Sequence, residues 1–132
     1  MSRLQYKAVL TVLLAVVSSS AMAEWVEIGS DETITIYADP ATIHRQGNKV
    51  KMWDLGDFKI AEKFGDKSYM SVKQQQEYDC KRRKLRVLLA TCYSENMGKG
   101  ETICSNNKPR HWEPVLPVSF DESMWEIACK KR

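Results

Sequence analysis

Apolar and polar positions divide the chain into three stretches of different period. The first is a predominantly apolar run of ten residues, Ala8 to Val17, preceded by the basic residues Arg3 and Lys7. A run of ten cannot cross a ~30 Å hydrocarbon core, which needs about 20 residues. The small residues of S-S-S-A-M-A follow, ending at Ala23. This order predicts a secretory signal over residues 1–23, cleaved after Ala23, and a single mature domain over residues 24–132. The cleavage point carries no cysteine, so lipid attachment there is not expected.

The second stretch has period two. Trp25 to Ile28 reads as a first short strand. Thr33 to Tyr37 alternates Thr with Ile, the mark of a half-buried strand. Asp39-Pro40 is expected to stop it, with Thr42 to Arg45 as a short extended piece and Q-G-N at 46–48 as a turn. Lys49 to Leu55 resumes the alternation, with Val50 and Met52 on one side and Trp53 and Leu55 on the other. Gly56 to Lys67 is charged and irregular and is expected to be a loop. Ser68 to Cys80 and Leu85 to Tyr93 read as further strands. A single strand from Glu77 to Tyr93 would reach about 56 Å at ~3.3 Å per residue, so a turn is expected at Lys81 to Lys84. The run Gln74 to Gln76 reads as an exposed strand, a possible sheet edge for pairing with a second copy of the chain.

The third stretch is helical. Ser119 and Glu122 form an S-x-x-E capping box. Phe120, Met124, Trp125, Ala128 and Cys129 then recur at helical spacing, and Lys130 to Arg132 suit a helix C-terminus. The predicted fold is α+β: an antiparallel sheet of about five or six strands with one C-terminal helix.

Four cysteines, Cys80, Cys92, Cys104 and Cys129, read as disulfides in an exported chain. Cys92 and Cys104 stand symmetrically about Gly98 in T-C-Y-S-E-N-M-G-K-G-E-T-I-C, so a hairpin turning near Gly98 sets them opposite each other. That leaves Cys80 with Cys129, tethering the helix to the sheet. Loop-closure entropy assigns ~4 kcal/mol to the long bridge and ~3 kcal/mol to the short one. The spacing contains no C-x-x-C or H-x-x-x-H pair, so neither a zinc site nor a thioredoxin-type centre is expected.

Charge narrows the partners. The chain's formal net charge is +3, from 20 Lys+Arg against 17 Asp+Glu. Residues 1–23 hold two of the cations and no acid, which leaves 18 against 17 over the 109 residues of the mature domain, a net +1. A field of that size argues against a nucleic-acid binder. No stretch after the leader is apolar enough to span a membrane. With no N-x-S/T sequon in the chain, a bacterial envelope is the expected compartment, periplasmic or secreted.

Several segments resemble the surface-adhesin protein E family of exported bacterial proteins. They are Y-A-D-P-A-T-I-H-R-Q-G-N-K-V-K-M-W-D-L, then Y-M-S-V-K-Q-Q-Q-E-Y-D-C, a basic turn with R-V-L, M-G-K-G-E, and W-E-P-V followed by D-E-S-M-W-E-I-A-C. They run in order through nearly all of the mature chain. The resemblance implies an antiparallel sheet with a disulfide-tethered helix, and pairing of Cys80 with Cys129. It also implies an adhesin-like role, since a lipid-anchored member of the family adheres to host extracellular-matrix and serum proteins.

Little in the sequence points to catalysis or to a cofactor. His44 and His111 are the only histidines, and no G-x-S-x-G, H-E-x-x-H, phosphate-binding glycine loop or EF-hand occurs. A non-enzymatic binding protein is therefore expected, without cofactor or metal. Its clearest candidate contact is Lys81-Arg82-Arg83-Lys84-Leu85-Arg86, five cations in six residues, which repel one another unless neutralised. Such a turn suits an acidic polysaccharide, lipid A phosphates or an acidic protein surface, at the envelope or in host matrix. The plainer alternative is a solvated turn whose charges pair with Glu77, Asp79 or cross-strand acids. Arg86 is expected over an aromatic ring such as that of Tyr78. Among the four tryptophans, Trp53 and Trp125 are expected to pack, and Trp112, in P-R-H-W-E-P, is the candidate for an exposed contact. The competing reading is a periplasmic inhibitor or assembly factor that binds an envelope protein.

Overall fold

The computed structural model describes residues 24–130, so the expected signal segment lies outside the described residues. The strands are β1 (Val26–Ser30), β2 (Ile34–Gln46), β3 (Lys49–Phe64), β4 (Lys67–Asp79), β5 (Lys84–Tyr93), β6 (Thr102–Asn106) and β7 (Glu113–Pro114). The helix is α1 (Phe120–Lys130). The sheet is an antiparallel meander in the order β1 to β6, and β7 pairs with β5. This is the expected α+β architecture, with β7 as a short addition.

One face of the sheet carries the core. Ala38, Val50, Met52, Tyr78 and Leu85 meet Met124 and Ala128 of α1, with Val115 closing the end. The alternation of β3 puts Val50 and Met52 on this face and Trp53 and Leu55 on the other. Leu55 is fully buried there, beneath a 3-10 turn at Asn96–Gly98. That turn is held down by Ser71, whose hydroxyl donates to the Glu95 carbonyl (2.6 Å) and accepts from the Gly98 N–H (2.9 Å). Asp57 accepts from the Met97 N–H at 2.8 Å.

Two expected interruptions do not occur. Asp39-Pro40 does not end β2. The β2–β3 register shifts between Asp39 and His44, and Pro40 falls in this gap, where no ladder donor is required. Thr42 fills the gap: its hydroxyl donates to the Asp39 carbonyl (2.6 Å) and accepts from the Trp53 N–H (3.0 Å). Nor is Gly56 to Lys67 a loop. β3 continues to Phe64 and returns in β4 as a two-stranded ribbon, turning at Gly65 with φ 64°. Residues 59–67 are all exposed, so the ribbon has no buried side to impose alternation. The Gln74 to Gln76 run is also placed differently. It lies in β4, between β3 and β5, and is not a sheet edge.

The helix follows the capping box. The Glu122 N–H donates to the Ser119 hydroxyl at 3.1 Å, and the Glu122 carboxylate accepts from the Val118 N–H at 3.2 Å. Phe120 packs against Gly29 of β1, where a Cβ would stand 2.6 Å from its ring, so β1 needs glycine at that point. Disulfides join Cys80 to Cys129 and Cys92 to Cys104. The second pair is directly opposed in the β5–β6 ladder.

Candidate functional site

The basic turn is built on Asp79. Its Oδ1 accepts the N–H groups of Lys81 (3.1 Å) and Arg82 (3.0 Å), an Asx-type turn closing the β4–β5 hairpin. The Cys80 N–H donates to the Asn48 carbonyl, and the Val115 N–H to that of Arg83. With the bridge to Cys129, these contacts hold the turn to a rigid frame.

The five cations then separate into two groups. Arg83 bonds Glu122 of α1 at 2.7 Å, and its guanidinium carbon lies 4.6 Å from the centroid of the Trp125 ring. These contacts hold Arg83 at φ 52°, a left-handed conformation that long side chains seldom adopt. Arg86 bonds Glu77 at 2.8 Å and lies over Trp112, again at 4.6 Å. Its aromatic partner is therefore Trp112 and not Tyr78, which is fully buried on the core face. Trp112 is half-buried, with Arg86 over its ring. Lys81, Arg82 and Lys84 are exposed, and no ion pair among the described residues involves them. The structure thus brings the whole basic segment to one end of the sheet but leaves, among the described residues, three cations without an ion-pair partner where the sequence shows five.

A second polar cluster lies inside the protein and carries no sequence signal. Asp54, on the core face of β3, is buried at 3% exposure. Gln76 donates to its Oδ2 at 2.8 Å and to the Tyr78 hydroxyl at 3.2 Å. Desolvation pushes the Asp54 carboxyl up to about 7, against the smaller opposing effect of hydrogen bonds from Gln76 and Gln74. Burial likewise raises Tyr78 well above the usual phenol value and raises Asp121. Asp54 is enclosed between sheet and helix, so its protonation is coupled to folding. His44 and His111 are both exposed, and neither imidazole has a side-chain hydrogen bond among the described residues.

The model of the surface-adhesin protein E family matches residues 25–130. The chain belongs to that family. Its fold is shared with solved structures of Haemophilus influenzae protein E at 15% identity. One superposes with a TM-score of 0.65, covering 84% of this chain and 87% of that one. A second crystal form gives 0.60, with 83% and 97% covered. Protein E from non-typeable Haemophilus influenzae gives 0.56 at 16% identity, with 83% and 79% covered. No match was found among the curated proteins. Membership of the surface-adhesin protein E family makes this an adhesin-like protein of exported type, and suggests a non-enzyme. No helix among the described residues is long and apolar enough to cross a membrane.

Proposed function

We propose that the protein is a non-enzymatic binding protein, exported by the leader at residues 1–23, that contacts a polyanionic or acidic protein partner through the β4–β5 turn. One observation carries this reading. Lys81, Arg82 and Lys84 stand exposed and unpaired among the described residues, on a turn fixed by Asp79 and the Cys80–Cys129 bridge. Isolated surface ion pairs contribute little to stability, at most about 1 kcal/mol each. Three clustered cations without partners contribute less still, and their mutual repulsion is relieved when an anion binds. A rigid frame lowers the ordering cost of that contact. Arg83 and Arg86 brace the surface through Trp125 and Trp112.

The test is retention of the oxidised mature protein on immobilised heparin across a salt gradient. The wild-type protein is expected to be retained and to elute as salt rises, because screening shortens the reach of the charges. Combined Lys81→Glu, Arg82→Glu and Lys84→Glu is expected to abolish retention. Undiminished retention of that variant, or no retention of the wild type, overturns the assignment. Specific recovery of a periplasmic enzyme by the charge-reversed protein would favour the inhibitor or assembly-factor reading.

A further inference from the structure

On the face of the sheet away from the helix, the meander aligns two tryptophans beside an acid. Asp39 and Trp53 are register partners in β2 and β3. Val26 of β1 pairs with Ala38, which sets Trp25, one residue earlier, next to Asp39. Ala38 and Met52 belong to the helix-side core, so their neighbours Asp39 and Trp53 face the other way. Trp25, Asp39, Thr42, Trp53 and Lys73 line a cavity of about 220 Å³.

Asp39 is 5% exposed, and its Oδ1 accepts no hydrogen bond from the described residues. Two aspartates at chain turns differ. Asp31 takes the N–H groups of Thr33 and Ile34, and Asp79 takes those of Lys81 and Arg82. Ala41 and Thr42, at the same spacing after Asp39, give its Oδ1 no such bond. A buried carboxylate oxygen without a donor is costly, and a ligand that brings one removes the cost.

We propose that this cavity binds an organic cation, an ammonium or guanidinium group, with Asp39 as its charged hydrogen-bond partner and Trp25 and Trp53 as its aromatic walls. Aromatic rings around a carboxylate are the combination that recognises such a cation. A sugar ring fits less well, because it needs several polar partners. The hydroxyl of Thr42 is already bonded to the Asp39 carbonyl and the Trp53 backbone N–H, so beyond the two indole N–H groups the lining offers only Asp39 and Lys73 as polar side chains. Lys73 has the same sign as the proposed ligand, so its removal strengthens binding of a cation and weakens binding of an anion.

The test follows the indole N–H signals of the full mature protein by NMR, with Trp25 and Trp53 assigned through Trp25→Phe and Trp53→Phe. The probes are n-butylammonium, arginine amide, acetate and methyl glucoside. Saturable shifts of the Trp25 and Trp53 signals with either cation, with Trp112 and Trp125 unmoved, are expected. Asp39→Asn is expected to weaken binding about tenfold or more, and Lys73→Ala to tighten it roughly two- to fivefold. Lys73 is half-exposed, so its variant reads the site even if Asp39→Asn fails to fold. No shift with either cation, stronger binding of acetate or methyl glucoside, unchanged affinity in a folded Asp39→Asn protein, or weaker cation binding in Lys73→Ala would each overturn the proposal. Retention on heparin is independent of Asp39, so failure here leaves the basic-turn reading standing.

Discussion

The guanidinium of Arg83 lies 4.6 Å over the ring of Trp125, joining the basic turn to the helix 42 residues further along the chain. The same group bonds Glu122 at 2.7 Å. Arg83 is thus a brace between turn and helix as well as a surface charge. Arg83→Ala is expected to lower the unfolding free energy by about 1 kcal/mol, combining a partly exposed ion pair with a cation–π contact. Heparin retention should change far less than in Lys84→Glu. Urea denaturation and the heparin gradient, run on both variants, check the two halves. A larger loss of retention in Arg83→Ala than in Lys84→Glu would show that the pairing with Glu122 does not hold in solution.

The two disulfides should differ in what they protect. Cys80–Cys129 closes a separation of 49 residues and Cys92–Cys104 one of 12. Loop entropy gives about 4 and 3 kcal/mol respectively. The long bridge is also the covalent tether of an 11-residue helix, a length that is marginal in isolation. Paired Cys80→Ser and Cys129→Ser is therefore expected to expose Met124 and Ala128 and increase dye binding to apolar surface. Paired Cys92→Ser and Cys104→Ser should leave the helix docked. Hydrogen exchange over α1 distinguishes them: fast exchange is expected in the first variant only.

Thr42 is expected to matter more than an ordinary surface threonine. Its hydroxyl stands in for a ladder partner at the β2–β3 register shift, serving both the Asp39 carbonyl and the Trp53 N–H. Thr42→Val keeps the shape and removes both bonds. A loss of roughly 1–3 kcal/mol is expected, most of it from the stranded Trp53 N–H. Thr42→Ser should recover most of that loss. Equal destabilisation by Val and Ser would assign the effect to the methyl group instead.

What was legible in the sequence was local. The hairpin about Gly98 and the cap at Ser119 each declare themselves within about a dozen residues, through symmetric cysteines and an S-x-x-E box. The disulfide tether followed from those two. What was not legible depends on residues distant in sequence. β2 passes Pro40 because a hydroxyl reaches Trp53, 11 residues on. The ribbon at 59–67 is strand without burial, so alternation cannot reveal it. Gln76 reads as exposed because it is polar, yet it is buried because Asp54 and Tyr78 need its amide. The basic segment was visible as charge and Glu77 could be named beside it, but the pairing of Arg83 with Glu122 depends on a helix 39 residues further along the chain, and no local pattern names it.

Asp54 makes stability depend on pH in a direction opposite to ordinary acid denaturation. Burial holds its carboxyl near 7, against 3.8 for a free aspartate. Between these values the folded state keeps a proton that the unfolded state releases. The contribution is fully present below pH 3.8, falls as pH rises through about 7, and is flat beyond. A shift of this size corresponds to about 4 kcal/mol as an upper bound, at about 1.4 kcal/mol per pH unit. The groups facing it are Gln74, Gln76 and Tyr78 on the sheet and Asp121 on the helix, whose charge adds to the rise. Asp121 is itself raised by burial and acts in the same direction. Asp31 acts oppositely at low pH, because hydrogen bonds from the Thr33 and Ile34 N–H groups lower it. Asp54→Asn, whose amide oxygen can still accept from Gln76, is therefore expected to be more stable than wild type at pH 8 and nearly equal to it at pH 4. Asp121→Asn should shift the wild-type transition toward lower pH. Urea midpoints measured from pH 4 to pH 8 on the three proteins decide this. A wild-type midpoint that does not fall between pH 5 and pH 8 relative to Asp54→Asn would place the Asp54 carboxylate in contact with water.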